Sequence, residues 1–247
     1  MKTLKIFSAA VGMILCTLTL TFSSCNMDDD AYSLDDMWLS IATARPLSDN
    51  SFYLTLDDST SLWPAAPLSI YYQPERPQRV QINYTVLGDH FNGYDHAIKL
   101  NRLDTILTKQ IAENKGEEND AIYGKDPVRI VAMWVGDGFL NIHFKAYFSG
   151  RVKHFVNLIR DEAADEETSY RVEFRHHAFG DESQHLTNGF VAFDLSEIGT
   201  GGKDVSLKIK VNTFDGIKEY EKKYNSGKYA ETEPELNIDK INLEYLE

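Results

Sequence analysis

The side chains most able to do chemistry are concentrated in one short stretch, residues 176–185. Imidazole and carboxylate groups are ligands of transition metals, and the stretch contains five of them: His176, His177, Asp181, Glu182 and His185. Their spacing differs from the zincin pattern, in which two histidines four positions apart share one helical face with a glutamate between them. Gly180 and the polar neighbours instead indicate a loop between strands. We predict a solvated loop with no catalytic, cofactor-binding or metal-binding residue, and keep a metal-dependent enzyme as the weaker alternative.

Cys25 is the second residue with distinctive chemistry. Lys2 and Lys5 precede a largely apolar stretch, 6–22, and two serines lead directly into Cys25. This is the layout of a secretory signal peptide with a cysteine at the cleavage position, and it resembles a bacterial lipoprotein signal. We predict that residues 1–24 are removed and that Cys25 carries the lipid, such as palmitate. A transmembrane helix is the weaker alternative, because the apolar stretch is short and rich in threonine.

An acidic run, Asp28, Asp29 and Asp30, follows the cysteine directly. Like charges in series repel each other and stay solvated, so residues 25–35 are predicted to form an acidic tether. The run resembles an export signal of lipoproteins from certain anaerobic Gram-negative bacteria. That resemblance implies the outer membrane, with the protein facing the cell surface. The alternatives are a simple spacer and a protein on the periplasmic face.

The charge balance argues against nucleic acid as a partner. The chain has 25 basic and 38 acidic side chains, and removing Lys2 and Lys5 with the leader leaves a formal charge of −15. Nucleic-acid affinity comes mainly from neutralising phosphates with Lys and Arg. Loss of Cys16 with the leader and lipidation of Cys25 would also leave no free thiol, which excludes disulfides, thiolate catalysis and cysteine-based zinc sites.

Residues 36–110 are predicted to form short strands, because apolar and polar side chains alternate there. A crossing marked by prolines, including Pro64 and Pro67, interrupts the alternation. Five short strands in about 75 residues favour a small closed barrel, since closure removes the sheet edges. The aromatic side chains of this part could stack on sugars or anchor a protein partner if exposed. We predict instead that Trp38, Trp63 and Tyr84 fill the core or lie over the barrel end.

Residues 111–126 are polar and charged, and they are predicted to be a linker. Strands resume in residues 127–247, separated by turn signals at Asp137-Gly138, Ser149-Gly150 and Asp215-Gly216. Successive antiparallel strands with such turns predict a β-sandwich. The alternation of apolar residues at 241–245 favours a further edge strand at the tail. The fold class is therefore all-β.

Several segments resemble the NigD-like lipoproteins: Trp38–Thr43, Tyr53–Asp58, Ser61–Ala65, Val80–Thr85, Gly93–His96, Val152–Leu158 and Phe174–His176. The resemblance implies an OB-type five-stranded barrel followed by a C-terminal β-sandwich, on a surface lipoprotein of gut-type anaerobes. The family takes its name from a gene in a bacteriocin operon, so an immunity role is one expectation. A shared fold assigns no chemistry by itself.

Two triplets, Asp58-Ser59-Thr60 and Asp104-Thr105-Ile106, resemble the sequence that such anaerobes O-glycosylate on exported proteins. They make Ser59 and Thr105 candidate modification sites.

Together these features predict a non-catalytic outer-membrane lipoprotein that binds a protein or peptide, with bacteriocin immunity as one such role. A glycan-binding accessory lipoprotein is the alternative. The expected partners are the membrane, through the lipid anchor, and an unidentified protein, peptide or glycan.

Overall fold

The computed structural model describes residues 32–66, 72–161 and 169–226, all within one compact unit spanning residues 32–247. The predictions for the leader, Cys25, Asp28–Asp30 and the tail strand at 241–245 lie outside the described residues. Within the described part of the chain, no helix is both long enough and apolar enough to span a bilayer.

The first five strands close into a barrel in the order β1-β2-β3-β5-β4, with β4 pairing back onto β1. They are β1 (Trp38–Pro46), β2 (Phe52–Leu56), β3 (Ser61–Ala66), β4 (Gln78–Phe91) and β5 (Tyr94–Thr105). Alternate residues of β4, namely Val80, Ile82 and Tyr84, point into the barrel core as the sequence pattern predicts. The five-stranded barrel is thus confirmed.

Eight further strands form two four-stranded sheets. They are β6 (Leu107–Gln110), β7 (Arg129–Gly136), β8 (Phe139–Tyr147), β9 (Phe155–Arg160), β10 (Ser169–His177), β11 (Leu186–Asp194), β12 (Val205–Thr213) and β13 (Gly216–Tyr224). One sheet has the order β13-β12-β10-β9 and the other β6-β11-β8-β7. Apolar side chains of both sheets share one core, which makes the second domain a β-sandwich. The pairs β10–β12 and β6–β11 are parallel, so the expectation of antiparallel neighbours throughout is corrected.

The structure also corrects two boundaries. Residues 107–110, placed at the end of the barrel by the sequence, form β6 and pair with β11 in the sandwich. Residues 111–126, predicted to be a linker, connect two sandwich strands and pack on that domain. They contain a short 3₁₀ turn (Gly116–Glu118) and a helix, α1 (Asn119–Tyr123), and the buried Tyr123 donates a 2.8 Å hydrogen bond to the carbonyl of Glu113.

A buried ion pair lies where the barrel meets the sandwich. Arg79 on β4 is fully buried, and its Nη2 lies 2.7 Å from Oδ1 of Asp57, which follows β2. The same guanidinium donates to Thr43 of the barrel at 3.0 Å and to Asn141 of β8 at 3.2 Å. Trp134 of β7 donates its indole N–H to Asp57 at 2.8 Å. We call these five residues the junction cluster; it satisfies both charges with groups from the two domains.

Apolar packing surrounds the junction cluster. Ile41 and Ile106 from the barrel side pack with sandwich side chains that include Phe139 and Phe190. Gly136 lies so close to the cluster that a Cβ built on it would sit 2.2 Å from Asp57 Oδ2. A glycine is required there because the sandwich backbone approaches the carboxylate directly.

Candidate functional site

The sandwich strands have one end at the barrel and one end away from it. The first residues of β8, Phe139 and Asn141, contact Arg79 at the junction, whereas its last residue is Tyr147. At about 3.4 Å per residue, β8 carries the chain roughly 27 Å from the barrel. Residues 148–154 and 178–185 connect strands at this far end, and we call them the distal loops.

Three buried or nearly buried side chains form a continuous chain of polar contacts beneath the distal loops. Nε2 of His154 lies 3.1 Å from Oδ2 of Asp181. Nδ1 of His154 lies 2.9 Å from Nε2 of His176, whose own Nδ1 lies 3.3 Å from the carbonyl oxygen of Asp126. We call His154, His176 and Asp181 the histidine chain. It joins both distal loops to the end of β10.

The number of protons in the histidine chain can be counted from its geometry. Each of the three contacts needs one proton, because the outer groups, a carboxylate and a carbonyl, only accept hydrogen bonds. Two neutral imidazoles carry two protons between them, so all three contacts are hydrogen bonds only when one more is present. Burial, with a smaller contribution from His154, lowers the pKa of His176 to about 4. At neutral pH the His176 imidazole is therefore in its neutral form.

Asp181 also fastens the two distal loops to each other. Its Oδ2 accepts a 2.8 Å hydrogen bond from the backbone N–H of Ser149, and hydrogen bonds from Ser149 hold the pKa of this carboxyl below its usual value. Two further bonds link the loops: Ser183 donates to the carbonyl of Phe148 at 3.0 Å, and Phe148 donates to the carbonyl of His185 at 3.0 Å. The distal loops are thus held in one arrangement by hydrogen bonds between them.

Exposed aromatic side chains lie at this end of the sandwich, on or beside the hydrogen-bonded distal loops. Phe179 is 54% exposed and has a φ of +50°, a left-handed conformation that is uncommon for a bulky residue. It is held by a 3.0 Å hydrogen bond from its N–H to His177 Nδ1, and the two rings stack with centroids 3.9 Å apart. Tyr147, 45% exposed, packs edge-on against Phe214 of the β12–β13 turn. Strained, exposed side chains on a rigid support are typical of binding sites.

A small cavity lies beside the histidine chain. It has a volume of about 20 Å³ and is lined by His154, Asn188, Gly189 and surrounding apolar side chains such as Phe144. This is room for about one water molecule. Nearby, Oδ1 of Asn188 accepts a 3.0 Å hydrogen bond from Nε2 of the buried His143, and burial lowers the pKa of that imidazole. The cavity is too small for an organic substrate.

The structure separates the five residues that the sequence grouped together. His176 lies buried in β10, which corrects the prediction that it belongs to a solvated loop, and Asp181 turns inward to His154. His177 is only partly buried, and Glu182 and His185 are exposed. Across the described ranges, no three His, Cys, Asp or Glu side chains converge so that they could hold a metal ion.

His154 is the member of the site that the sequence analysis missed. It lies 22 positions before its partner His176, and it has no motif of its own. A signal for His176 was present, because it continues the alternation of the buried residues Val172 and Phe174 in β10. Extending that alternation by one step would have placed His176 in the core.

The barrel presents a second group of aromatic residues. Trp63 stacks on Tyr94 with ring centroids 5.1 Å apart, and Tyr53 packs against Tyr94 at 5.3 Å. All three rings are partly exposed, so Trp63 lies outside the barrel core, and Trp38, which is 55% exposed, is not in the core either. Tyr84 is buried as predicted. We call Tyr53, Trp63 and Tyr94 the barrel aromatic cluster.

Both candidate glycosylation residues remain predictions. Ser59 is partly exposed in the β2–β3 turn, and its hydroxyl contacts the carbonyl of Asp58. Thr105 is exposed at the end of β5. A glycan on either hydroxyl would therefore extend into solvent from the barrel surface.

A closed OB-type barrel joined to a β-sandwich defines a class of two-domain all-β proteins. Family models described as the NigD-like N-terminal OB domain and the NigD-like C-terminal beta sandwich domain match residues 41–106 and 110–224. The chain belongs to the NigD-like family, as the resemblance of its sequence segments predicts. No curated protein matches it.

Solved structures from Parabacteroides and Bacteroides species share this fold. One from Parabacteroides distasonis, described as toxin-related, is 44% identical with a TM-score of 0.71, covering 77% of this chain and 94% of its own. A NigD-like immunity protein from Bacteroides caccae is 22% identical with a TM-score of 0.58, covering 79% and 99%. A structure from Bacteroides fragilis, described as a lipoprotein, is 14% identical with a TM-score of 0.55, covering 78% and 100%. The last two show a common fold.

Proposed function

We propose that this protein is a non-catalytic, lipid-anchored protein of the outer membrane surface that binds a protein or peptide through its distal loops. The proposed role is immunity, in which the bound partner is a toxic peptide such as a bacteriocin. The description of the Bacteroides caccae structure as an immunity protein supports this role by fold, and the lipoprotein layout around Cys25 supports the location.

The observation that carries the proposal is that exposed aromatic side chains lie at the distal end of the sandwich, on loops that hydrogen bonds hold in place. Exposed aromatic anchors dominate the energy of many protein interfaces. Here Phe179 and Tyr147 protrude, while the histidine chain and the Ser149–Asp181 bond fix the loops that surround them. Because the loops are ordered in advance, binding does not have to supply the entropy of ordering them. A pre-organised surface with exposed aromatic side chains suits a polypeptide partner.

A non-catalytic role is proposed because the candidate catalytic groups serve the fold. Catalysis requires groups that reach a substrate in a defined geometry. In the histidine chain, His154 and His176 face one another, and the adjoining cavity holds only about 20 Å³. The imidazoles therefore lie behind the surface that the partner would contact.

The test is capture and protection with matched variants. Lipidated wild-type protein, the double variant Phe179→Gly/Tyr147→Ala, and the control Lys99→Ser, at an exposed position of β5, would be expressed in cells that lack the native protein. We expect wild type and the control to capture one polypeptide from native membranes and to protect the cells from it. The double variant should fold normally, by circular dichroism and melting temperature, but lose both properties. Equal capture by the double variant would refute the distal site.

Glycan binding is the second candidate, and the barrel aromatic cluster is the observation that favours it. Aromatic rings at a protein surface can stack on the apolar faces of sugars, and OB barrels often bind ligands across the strands that include β2 and β3. Binding to polysaccharides from the same habitat, lost in Trp63→Ala and retained in Phe179→Gly/Tyr147→Ala, would support this candidate over the first.

A further inference from the structure

Exposed apolar side chains collect at one corner of the barrel. Two segments contribute to it: residues 32–39, which lead into and begin β1, and residues 87–91, the end of β4. Among the described residues, these two segments hold seven exposed large apolar side chains: Tyr32, Leu34, Met37, Trp38, Leu39, Leu87 and Phe91. Leu34 is 70% exposed, Met37 65% and Trp38 55%. We call this surface the N-terminal corner.

Direct contacts show that the two segments form one surface. The hydroxyl of Tyr32 donates a 2.7 Å hydrogen bond to Asp89 near the end of β4. Trp38 is paired with Tyr84 in the β1–β4 ladder, three residues before Leu87. The apolar side chains of both segments therefore lie around the projecting end of β4. Exposed apolar side chains grouped in this way mark a contact site in soluble domains.

The position of the corner along the chain indicates what it contacts. Tyr32 is seven residues after Cys25, so a fully extended tether reaches at most roughly 25 Å. A lipid on Cys25 would hold this corner within that distance of the bilayer. Tryptophan and tyrosine favour the interface between lipid and water, where an apolar ring and a polar edge are both satisfied. The distal loops lie at the opposite end of the sandwich strands.

We infer that the N-terminal corner docks on the lipid bilayer and so orients the protein on the membrane. The inference rests on the proposed lipid anchor at Cys25 and adds a second contact to it. One acyl chain alone gives marginal binding, and a buried apolar surface beside it strengthens attachment. The tether and corner are acidic, with Asp28–Asp30, Asp35, Asp36 and Asp89, so the contact is apolar and does not require anionic lipid.

The test uses the lipidated full chain on phosphatidylcholine vesicles whose acyl chains carry bromine, a quencher of tryptophan fluorescence. Trp38 should be quenched roughly two-fold or more, because an interfacial side chain sits about 5–10 Å deep near the bromine atoms. The Trp38→Phe variant identifies the share of Trp38 in the signal, because it leaves the partly exposed Trp63 and the buried Trp134 as the remaining tryptophans. Quenching should be the same at low and high salt, as expected of an apolar contact.

Matched variants separate docking from anchoring. In Leu34→Ser/Met37→Ser, Trp38 quenching should be lost while the protein still sediments with the vesicles. Ile217→Ser removes a side chain of equal exposure, 68%, on β13, and should leave the quenching unchanged. Wild-type protein that sediments without Trp38 quenching would overturn the docking and leave the anchor intact.

Two other outcomes would also overturn the inference. If intact mass shows no lipid on Cys25, the anchor fails and the docking that rests on it fails as well. If Cys25→Ala protein forms a dimer in solution that Leu34→Ser/Met37→Ser disrupts, the corner is an interface between two copies of the chain.

Discussion

The junction cluster and the histidine chain lie at opposite ends of the sandwich strands and use different kinds of charge. The junction cluster pairs Arg79 with Asp57, and a guanidinium stays protonated at every pH a cell meets. The histidine chain uses the imidazoles of His154 and His176, and burial lowers the pKa of His176 to about 4, so its charge depends on pH. Both clusters connect separate segments, but only the second lies beneath exposed loops. The permanent pair thus holds the domains together, whereas the adjustable one supports the proposed binding surface.

The largest expected effect comes from breaking the junction cluster. Arg79→Met leaves the carboxylate of Asp57 buried without its cation, which should lower the free energy of unfolding by about 3–5 kcal/mol. Urea denaturation measures this change. Arg129→Met, at an exposed position of β7, is the matched control and should change stability by less than about 0.5 kcal/mol. Equal losses in the two variants would show that the buried pair has no special role.

A smaller loss of stability is expected from a substitution that adds a methyl group beside the junction cluster and leaves both of its charges in place. In Gly136→Ala the new methyl group would meet Asp57, which Arg79 and Trp134 hold in place. Overpacking of this kind should cost up to about 3 kcal/mol. Gly88→Ala is the control, because a Cβ there has nothing within 4 Å. Denaturation curves of the two variants that coincide would contradict the close approach seen at Gly136.

The histidine chain should instead respond to pH. Its member His176 has a pKa of about 4 in the folded protein, below the 6.5 of an unperturbed histidine, so the unfolded chain binds the proton more tightly. The stability contribution is therefore complete above pH 6.5 and is lost as the pH falls toward 4, by about 2 kcal/mol at pH 5.

The measurement is the free energy of unfolding at pH 7 and pH 5 in wild type and in His176→Asn. The change in unfolding free energy between pH 7 and pH 5 in the variant is subtracted from that in wild type. This removes the contribution of His143, which both proteins share and whose pKa is also lowered by burial. Asp126 and His177, which face the same imidazole, are unchanged in the variant. Identical pH dependence in the two proteins would show that His176 is not buried in its neutral form.

The smallest effect concerns the surface above the histidine chain. Phe179→Gly relieves the left-handed conformation at φ +50°, so stability should stay the same or rise by at most about 1 kcal/mol. Binding of the captured polypeptide should nevertheless weaken. Thermal melts and the capture experiment together test this separation of stability from binding. A marked fall in melting temperature would indicate that Phe179 belongs to the core.

Local sequence signals predicted much of the fold. Asp137-Gly138 joins β7 to β8 with positive φ at both residues, as a two-residue hairpin requires. Ser149-Gly150 has a similar signal, but β8 and β9 belong to different sheets, so the chain crosses the sandwich there. A turn signal specifies a change of direction, and which strand pairs next depends on contacts distant in sequence. Similarly, Pro64 made β3 hard to recognise from the sequence, because prolines there indicated a break between strands. In the structure, β3 continues through Pro64, and its pairing with β5 shifts register after the proline.

The candidate site was harder to predict than the fold for the same physical reason. Sequence proximity grouped His176, His177 and His185, yet adjacent strand residues point to opposite faces and only His176 is buried. The contact that defines the chain, between His154 and His176, arises from the pairing of β9 with β10. The junction cluster was equally invisible, since Arg79 and Asn141 lie 62 positions apart.

Only one residue, Ile106, lies between β5 of the barrel and β6 of the sandwich. This short connection fixes the distance between the barrel and the distal loops. Its backbone N–H donates to the carbonyl of Arg79 at 2.9 Å and its side chain is buried, so the chain has no free joint at this crossing. A displacement of the barrel is therefore transmitted to the far end of the sandwich strands. If the barrel rests on a surface, the distal loops stand at a constant height above it and can engage only partners that reach that height.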